Sequence, residues 1–509
     1  MKKFIIFLMA TGTFMCSCAK KDSLTTAAGA AGTANKLTTL GSPAGDVVGK
    51  VTVGYQGWFS AVGNGTPLNS WAHQNLENWP DVRQYTNTYA GVPFGQAGVT
   101  QPPFTGNLGN GQPAKMFSSN DQQVANTHCL WMQQNGIDCI ALQRFGSYTT
   151  AGQVKDFHDA VDLKMMNAAQ TYGRKFYIMY DCKATDPITT DWTNTIVNLQ
   201  HLTSSSAYAM QNGKPVVCLW GVGKSDRGAA ADWITTINWF KAQGCYVIGG
   251  PLAGFSTDTP NAAVYNACDM IMPWMVGKTA ASNFQAIYAA DLAYCNAHNI
   301  DYQADIYPGT GFYNSDPTWP KNKLPRTHGD FMWSQFAAAK NAGVPSIYIS
   351  MFDEMNEATG ILNCAEDASS IPAGNYFLTL DADGVHVSSD FYLRLVNDGG
   401  KMIKGQIPFT ATHPTPHVLT PPVSITPHVL SNSSIQINWA TVTGSPCYNI
   451  KRSTTNGGPY TTVATGVTGA TYTNISLSPN TTYYYVVSSG RINASESSNG
   501  GQAGATTTN

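Results

Sequence analysis

The chain has 509 residues, 43% hydrophobic and 11% aromatic, enough to bury a large core and fill more than one domain. Its formal net charge is -2, only 12% of residues are charged, and no Lys/Arg run occurs beyond the first 21 residues, which excludes a nucleic-acid partner. The same composition excludes a disordered or fibrous chain and favours neutral polar ligands.

Residues 1–18 read as a leader: Lys2 and Lys3 form a basic start, a short apolar stretch follows, and Met15-Cys16-Ser17-Cys18 is a small-residue cleavage site. The pattern resembles a bacterial lipoprotein signal with Cys18 as the lipidated residue. It predicts a monomer held in a bacterial cell envelope, periplasmic or surface-exposed, whose membrane contact is the lipid anchor alone. Residues 19–45, rich in Ala, Thr, Gly and Ser, read as a flexible tether.

From 46 to 410 apolar, strand-like runs recur at 51–54, 137–143, 176–180, 215–220, 246–248, 270–276, 302–306 and 346–350. Between most of them lie stretches of helical length with an apolar face, such as 122–134, 153–171, 231–242, 280–298 and 329–342. Strand–helix alternation repeated about eight times is the pattern of a (β/α)8 TIM-type barrel, an α/β fold. The region 60–115, rich in Gly, Pro, Asn and Trp, becomes an elaborated first loop. Residues 411–427 read as a proline-rich linker. From 428 to 509 a small all-β sandwich is expected. The Trp439 strand and the pattern Leu477-x-Pro479-x-Thr481-x-Tyr483-x-Tyr485-x-Val487 resemble a fibronectin type III module, with Tyr483 as its buried corner tyrosine.

Cys139, Cys182, Cys218 and Cys245 sit inside apolar runs and read as small buried hydrophobes; no CxxC pair occurs, and no metal or cofactor is expected. In such barrels the active site gathers on loops at the carboxyl ends of the strands. Reading outward from each run gives the candidates: Tyr55, Gln56, Trp58 and Phe59; Gln143, Arg144 and Phe145; Tyr180 and Asp181; Trp220 and Gly221; Trp274; Tyr307; and Asp353, Glu354 and Glu357. Aromatic faces with polar groups suit a pyranose ring, which has apolar faces and a hydroxyl rim. Cleaving a glycoside takes one carboxyl to protonate the departing oxygen and another to act as base or nucleophile. Glu354 and Glu357, three apart, converge only if the chain leaves extended geometry near Met355.

The segments GYQGWF, HCLWMQQNGIDCIALQRF, FYIMYD, KPVVCLWG, MIMPWMVG, ISMFDEMNEATGI and SSDFYLRL together resemble the glycoside hydrolase family 71/99-like proteins. That group is similar to the endo-α-mannosidases and the α-1,3-glucanases. The strand-eight motif of the endo-α-mannosidases, Asn-Glu-x-x-Glu-Gly-Thr, falls here on Asp353, Glu354, Glu357, Ala358 and Thr359. The resemblance implies that Glu354 deprotonates the sugar 2-hydroxyl and that Glu357 is the acid and then the base. Asp353 for Asn and Ala358 for Gly are departures that bear on substrate. The expectation is a lipid-anchored, endo-acting hydrolase of α-mannan or α-glucan type. Its substrate contacts are Tyr55, Gln56, Trp58, Gln143, Arg144, Tyr180, Asp181, Trp220, Trp274, Tyr307 and Asp353. The rival is a non-catalytic glycan-binding surface lipoprotein.

Overall fold

The computed structural model describes residues 41–66, 68–72, 75–90, 106–442, 444–490 and 496–509; the expected leader, Cys18 and most of the tether lie outside them. Eight parallel strands follow one another in the body: β1 (Val51–Tyr55), β2 (Cys139–Phe145), β3 (Lys175–Asp181), β4 (Lys214–Trp220), β5 (Tyr246–Gly250), β6 (Met270–Ile271), β7 in two segments (Asp301–Tyr302 and Ala304–Ile306), and β8 (Ile347–Ile349). Each pairs with the next, and β8 pairs back onto β1 with Val51 opposite Ile347. The two segments of β7 pair with β6 and β8 respectively, and the Gln303 amide between them still donates to the Ile271 carbonyl at 3.0 Å. The ring is thus a nearly closed parallel barrel of nine segments.

Helices alternate with the strands: α1 (Gln122–Gln134), α2 (Gln153–Thr171), α3 (Ile188–Asp191, continuing as the π-helical Trp192–Leu199), α4 (Ala230–Ala242), α5 (Ala262–Ala267), α6 (Phe284–Ala297), α7 (Asp330–Ala342) and α8 (Phe391–Ile403). The strands are apolar almost throughout because one face fills the barrel and the other packs on helices. All five residues of β1 are buried. Gly54 is required there, since a Cβ would lie 2.1 Å from the buried Tyr348 hydroxyl and 2.2 Å from Met351 Sδ. This architecture fits the (β/α)8 expectation.

The second core is formed by β9 (Thr426–Ser431), β10 (Ser434–Asn438), β11 (Cys447–Ser453), β12 (Thr461–Val467), β13 (Thr471–Asn474), β14 (Thr482–Gly490) and β15 (Ala503–Thr506). They make two antiparallel sheets, β9-β10-β13 and β12-β11-β14-β15, around Ile435, Ile437, Trp439, Tyr448, Ile450, Tyr485 and Val487. The Tyr483 hydroxyl accepts from the Ser478 amide at 2.9 Å, the corner-tyrosine contact of a fibronectin type III-like sandwich.

Two segments differ from their expected roles. Ser42 and Pro43, assigned to the tether, are bound at the barrel floor: the Ser42 amide donates to Asp301 Oδ1 at 2.8 Å and the Pro43 carbonyl accepts from Gln211 Nε2 at 2.9 Å. The proline-rich segment lies on α7 and α8, where Arg394 Nη1 donates to the Pro416 carbonyl at 2.7 Å and Thr415 Oγ1 to Asp398 Oδ2 at 2.7 Å. Its last two residues, Thr426 and Pro427, already belong to β9, a place an edge strand allows a proline. All nine described cysteines are buried.

Candidate active site

Because the strands run parallel, their carboxyl ends meet on one face, and the loop after β8 stands there. Phe352 N donates to the Gly54 carbonyl at 2.7 Å, extending the pairing of β8 with β1. The chain then reverses. Met351 N bonds Thr359 O and Ile361 N bonds Met351 O, each at 3.1 Å, and Leu362 N bonds Phe352 O at 2.9 Å. The neck is closed like a hairpin, and residues 353–360 form its crown, with Ala358 in the left-handed region at φ 53°. The acids therefore do not open a helix. They lie in the turn that convergence of Glu354 and Glu357 demands.

Three clamps hold the crown by its carbonyls. The Glu77 and Asn78 amides donate to Met355 O at 2.9 and 3.1 Å. Thr310 Oγ1 and the Gly311 amide donate to Glu357 O at 2.7 and 3.0 Å. Arg326 Nη2 reaches Ala358 O at 2.9 Å, Gly360 O at 2.8 Å and Asn78 Oδ1 at 3.1 Å, while its guanidinium stacks 4.6 Å from the Tyr392 ring. Sequence reasoning named none of these residues. They grip backbone, so no side-chain motif marks them.

Asp353 is fully buried and accepts from the Gln56 and Gly57 amides at 2.7 and 2.9 Å, tying the crown to the end of β1. It was expected to touch substrate; instead it is a backbone anchor. Burial raises its carboxyl to about 6. Glu354, 5% exposed, is pushed well above the usual carboxylate range by burial first, then by the charge of Glu357 and of Asp353. Burial also raises Glu357, which keeps part of its surface open. The charge of Glu357 thus disfavours ionising both carboxyls at once.

Replacing Asp353 by Asn removes one of the charges that raise Glu354 and leaves one amide facing an NH2 group. The acidic limb of the activity–pH profile should move to lower pH, and a denaturation curve should show a loss of about 1–2 kcal/mol. An unmoved limb would separate Asp353 from the titration of the pair.

Trp58, Asp181, Trp220 and Trp274 keep part of their surface open at this face. The Trp58 ring stacks on Phe145 at 5.3 Å, and Trp220 meets Trp274 edge-on at 5.7 Å. Gln143 Nε2 donates to Asp181 Oδ2 at 3.3 Å, and Arg227 Nη1 pairs with Asp181 Oδ1 at 2.6 Å while lying 5.2 Å from the Trp220 ring. Arg227 escaped notice because it follows its strand by seven residues. Gln56 is buried, with its side-chain oxygen unpartnered.

Four expected contacts are elsewhere. The Tyr55 hydroxyl hydrogen-bonds His128 Nδ1 at 2.9 Å on α1. Arg144 is buried against Asp159, Asp162 and Asp191, and the Tyr180 hydroxyl donates to Asp191 Oδ2 at 2.8 Å. Consecutive strand residues face opposite sides, so Tyr55, Arg144 and Tyr180 look into the helix layer where their neighbours look along the barrel. Tyr307 is buried too, its hydroxyl donating to the Lys278 carbonyl.

No protein-family model and no curated protein matches the chain. Solved structures do. A family GH99 endo-α-mannosidase from Bacteroides thetaiotaomicron aligns with a TM-score of 0.50 at 15% identity, over 70% of this chain and 98% of its own. The same enzyme in complex with bis-tris-propane gives 0.51 at 14% identity, over 71% and 98%. The likeness is one of fold. An Fn3-like protein from Clostridium thermocellum is 36% identical over 17% of this chain and 91% of its own, with a TM-score of 0.16.

Proposed function

We propose that the chain is a glycoside hydrolase that cuts α-linked glycans internally, of α-mannan or α-glucan type, and that it is anchored through Cys18 to a bacterial cell envelope. The observation that carries the reading is the pair Glu354 and Glu357, both raised by burial and clamped on the crown of the loop after β8. A catalytic acid and base drawn from two like residues need such an arrangement.

In the mechanism that the family resemblance implies, Glu357 gives its proton to the departing glycosidic oxygen. Glu354 takes the proton of the 2-hydroxyl, whose oxygen closes on the anomeric carbon as a 1,2-anhydro sugar, a route open to an α-mannoside, whose 2-oxygen lies trans to the leaving group, and closed to an α-glucoside, where the two are cis. Glu357, now a carboxylate, takes a proton from water, the hydroxide opens the ring at the anomeric carbon, and Glu354 returns its proton to the 2-oxygen. The net change is addition of water across one C–O bond. Burial and the charges of Glu357 and Asp353 favour a proton on Glu354, so these roles require that proton to pass to Glu357 as substrate enters.

The test is digestion of yeast α-mannan, α-1,3-glucan and dextran, with anomer-resolved detection of products. Release of internal fragments from one α-linked polymer is expected. No product from any α-linked glycan, together with undiminished binding, sinks the assignment.

A further inference from the structure

The segment between β7 and α7 is a second built surface on this face. Thr310 and Leu324 bridge it at the root through mutual backbone bonds of 3.1 and 2.9 Å, leaving residues 311–323 as a projecting loop. The loop is braced from beneath: the Asn314 amide donates to buried Glu77 Oε2 at 2.8 Å, and Asn314 Nδ2 donates to Leu76 O at 2.7 Å and Tyr376 O at 2.9 Å. Its root holds the Glu357 carbonyl through Thr310 and Gly311.

The tip carries aromatic rings and cations. Trp319 is 40% exposed although Phe312 packs 5.3 Å from it, a large apolar face left open. Lys323 Nζ lies 5.1 Å from the Trp319 ring, and Lys321 Nζ lies 4.9 Å from Tyr313 and 4.5 Å from Tyr376. Neither lysine forms an ion pair among the described residues. Asp316, the one carboxylate in the stretch 311–323, is turned to Thr318, whose amide and hydroxyl donate to it at 3.0 and 2.7 Å. In a chain so poor in charge, two ammonium groups without an ion pair among the described residues, one beside the open indole and one over the tyrosine rings at its foot, are a local excess.

We infer that the loop 311–323 is a subsite on the leaving-group side that stacks a pyranose ring on Trp319 and selects rings bearing an acid group through Lys321 and Lys323. The inference rests on the proposed function, because a departing sugar must lie on the side of the acid that protonates it, and Glu357 is held by this loop. An aromatic face binds the apolar side of a ring, and unpaired ammonium groups bind a phosphate or carboxylate at its rim.

The test is affinity electrophoresis of the full chain carrying Glu354→Gln, so that no polymer is degraded. The probes are phosphomannan and carboxymethyl-pullulan, each beside its neutral parent, which separates phosphate from carboxylate as the acid group. Adding Trp319→Ala should weaken retention by either or both acidic polymers about tenfold, the factor that loss of one stacking contact supplies. Adding Lys321→Gln with Lys323→Gln should abolish the preference for acidic over neutral polymer. Equal retention by acidic and neutral polymers before these changes, or retention that Trp319→Ala leaves unchanged, overturns the subsite. Retention is read without turnover, so a parent chain that cleaves no α-linked glycan, alongside these losses of retention, sinks the hydrolase reading and with it the leaving-group assignment, and keeps the loop as an acid-selective glycan-binding surface. Cleavage with unchanged retention does the reverse.

Discussion

Replacing Glu357 by Gln should lower turnover on an α-linked polysaccharide by ~10²- to 10⁴-fold, the usual contribution of a positioned general acid. The loss should shrink on an aryl glycoside whose phenol departs without help, because bond cleavage then needs no proton donor. Glu354→Gln should lose as much on the polymer and should not recover on the aryl glycoside, since the 2-hydroxyl still needs its base. Both variants should keep or slightly raise their melting temperature, as each removes one of two crowded, buried carboxyls. The Glu357 variant should also shift the pH dependence of its residual activity. Its charge is the second cause, after burial, of the raised Glu354, so its removal moves the remaining acidic limb to lower pH. Polymer activity within threefold of the parent in both variants, or equal rescue of both by the aryl substrate, would overturn the assigned roles.

The barrel was legible because parallel strands buried on both faces are continuous apolar runs, and all eight expected runs contain a strand. Their lengths were less so. The run 270–276 yields only Met270–Ile271, since Pro273 carries no amide for a ladder, and 302–306 is divided at Gln303 between two partners. The position of Glu354 and Glu357 on the active face could be counted from the strands. What fixes them there was hidden. Glu77 and Asn78 come from the long first loop, and Thr310, Gly311 and Arg326 come from the loop after β7. Each acts on a carbonyl of the crown, a target that every residue presents. Position at a strand end also overstated the candidates. Gln143 and Arg144 are adjacent in sequence yet answer to different layers, because the Asp162 and Asp191 partners of Arg144 sit on helices 18 and 47 residues away.

That buried network carries the largest expected effect on stability. Arg144 Nε and Nη2 clasp Asp191 at 2.8 Å each, Nη1 meets Asp162 at 2.8 Å, and Nη2 also meets Asp159 at 2.6 Å, where Lys155 adds a second cation at 2.5 Å. Arg144→Met leaves Asp162 and Asp191 buried without their cation, a change that typically costs about 3–5 kcal/mol. In a domain of this size that is a fall of roughly 5 °C in melting temperature. The loss should depend on pH with a definite sign. Burial, only partly offset by Arg144, already raises Asp162 to about 7, and removing the cation raises it further. A carboxyl raised in the folded state holds its proton there, so its contribution is complete below about pH 4 and is lost as pH rises through the raised value. The variant should therefore lie closer to the parent at pH 5 than at pH 8. Arg144 has no open surface at the active face, so KM for the glycan substrate should stay within about twofold where the variant is folded. A melting temperature within 2 °C of the parent, accompanied by a raised KM, would return Arg144 to the substrate site and remove it from the frame.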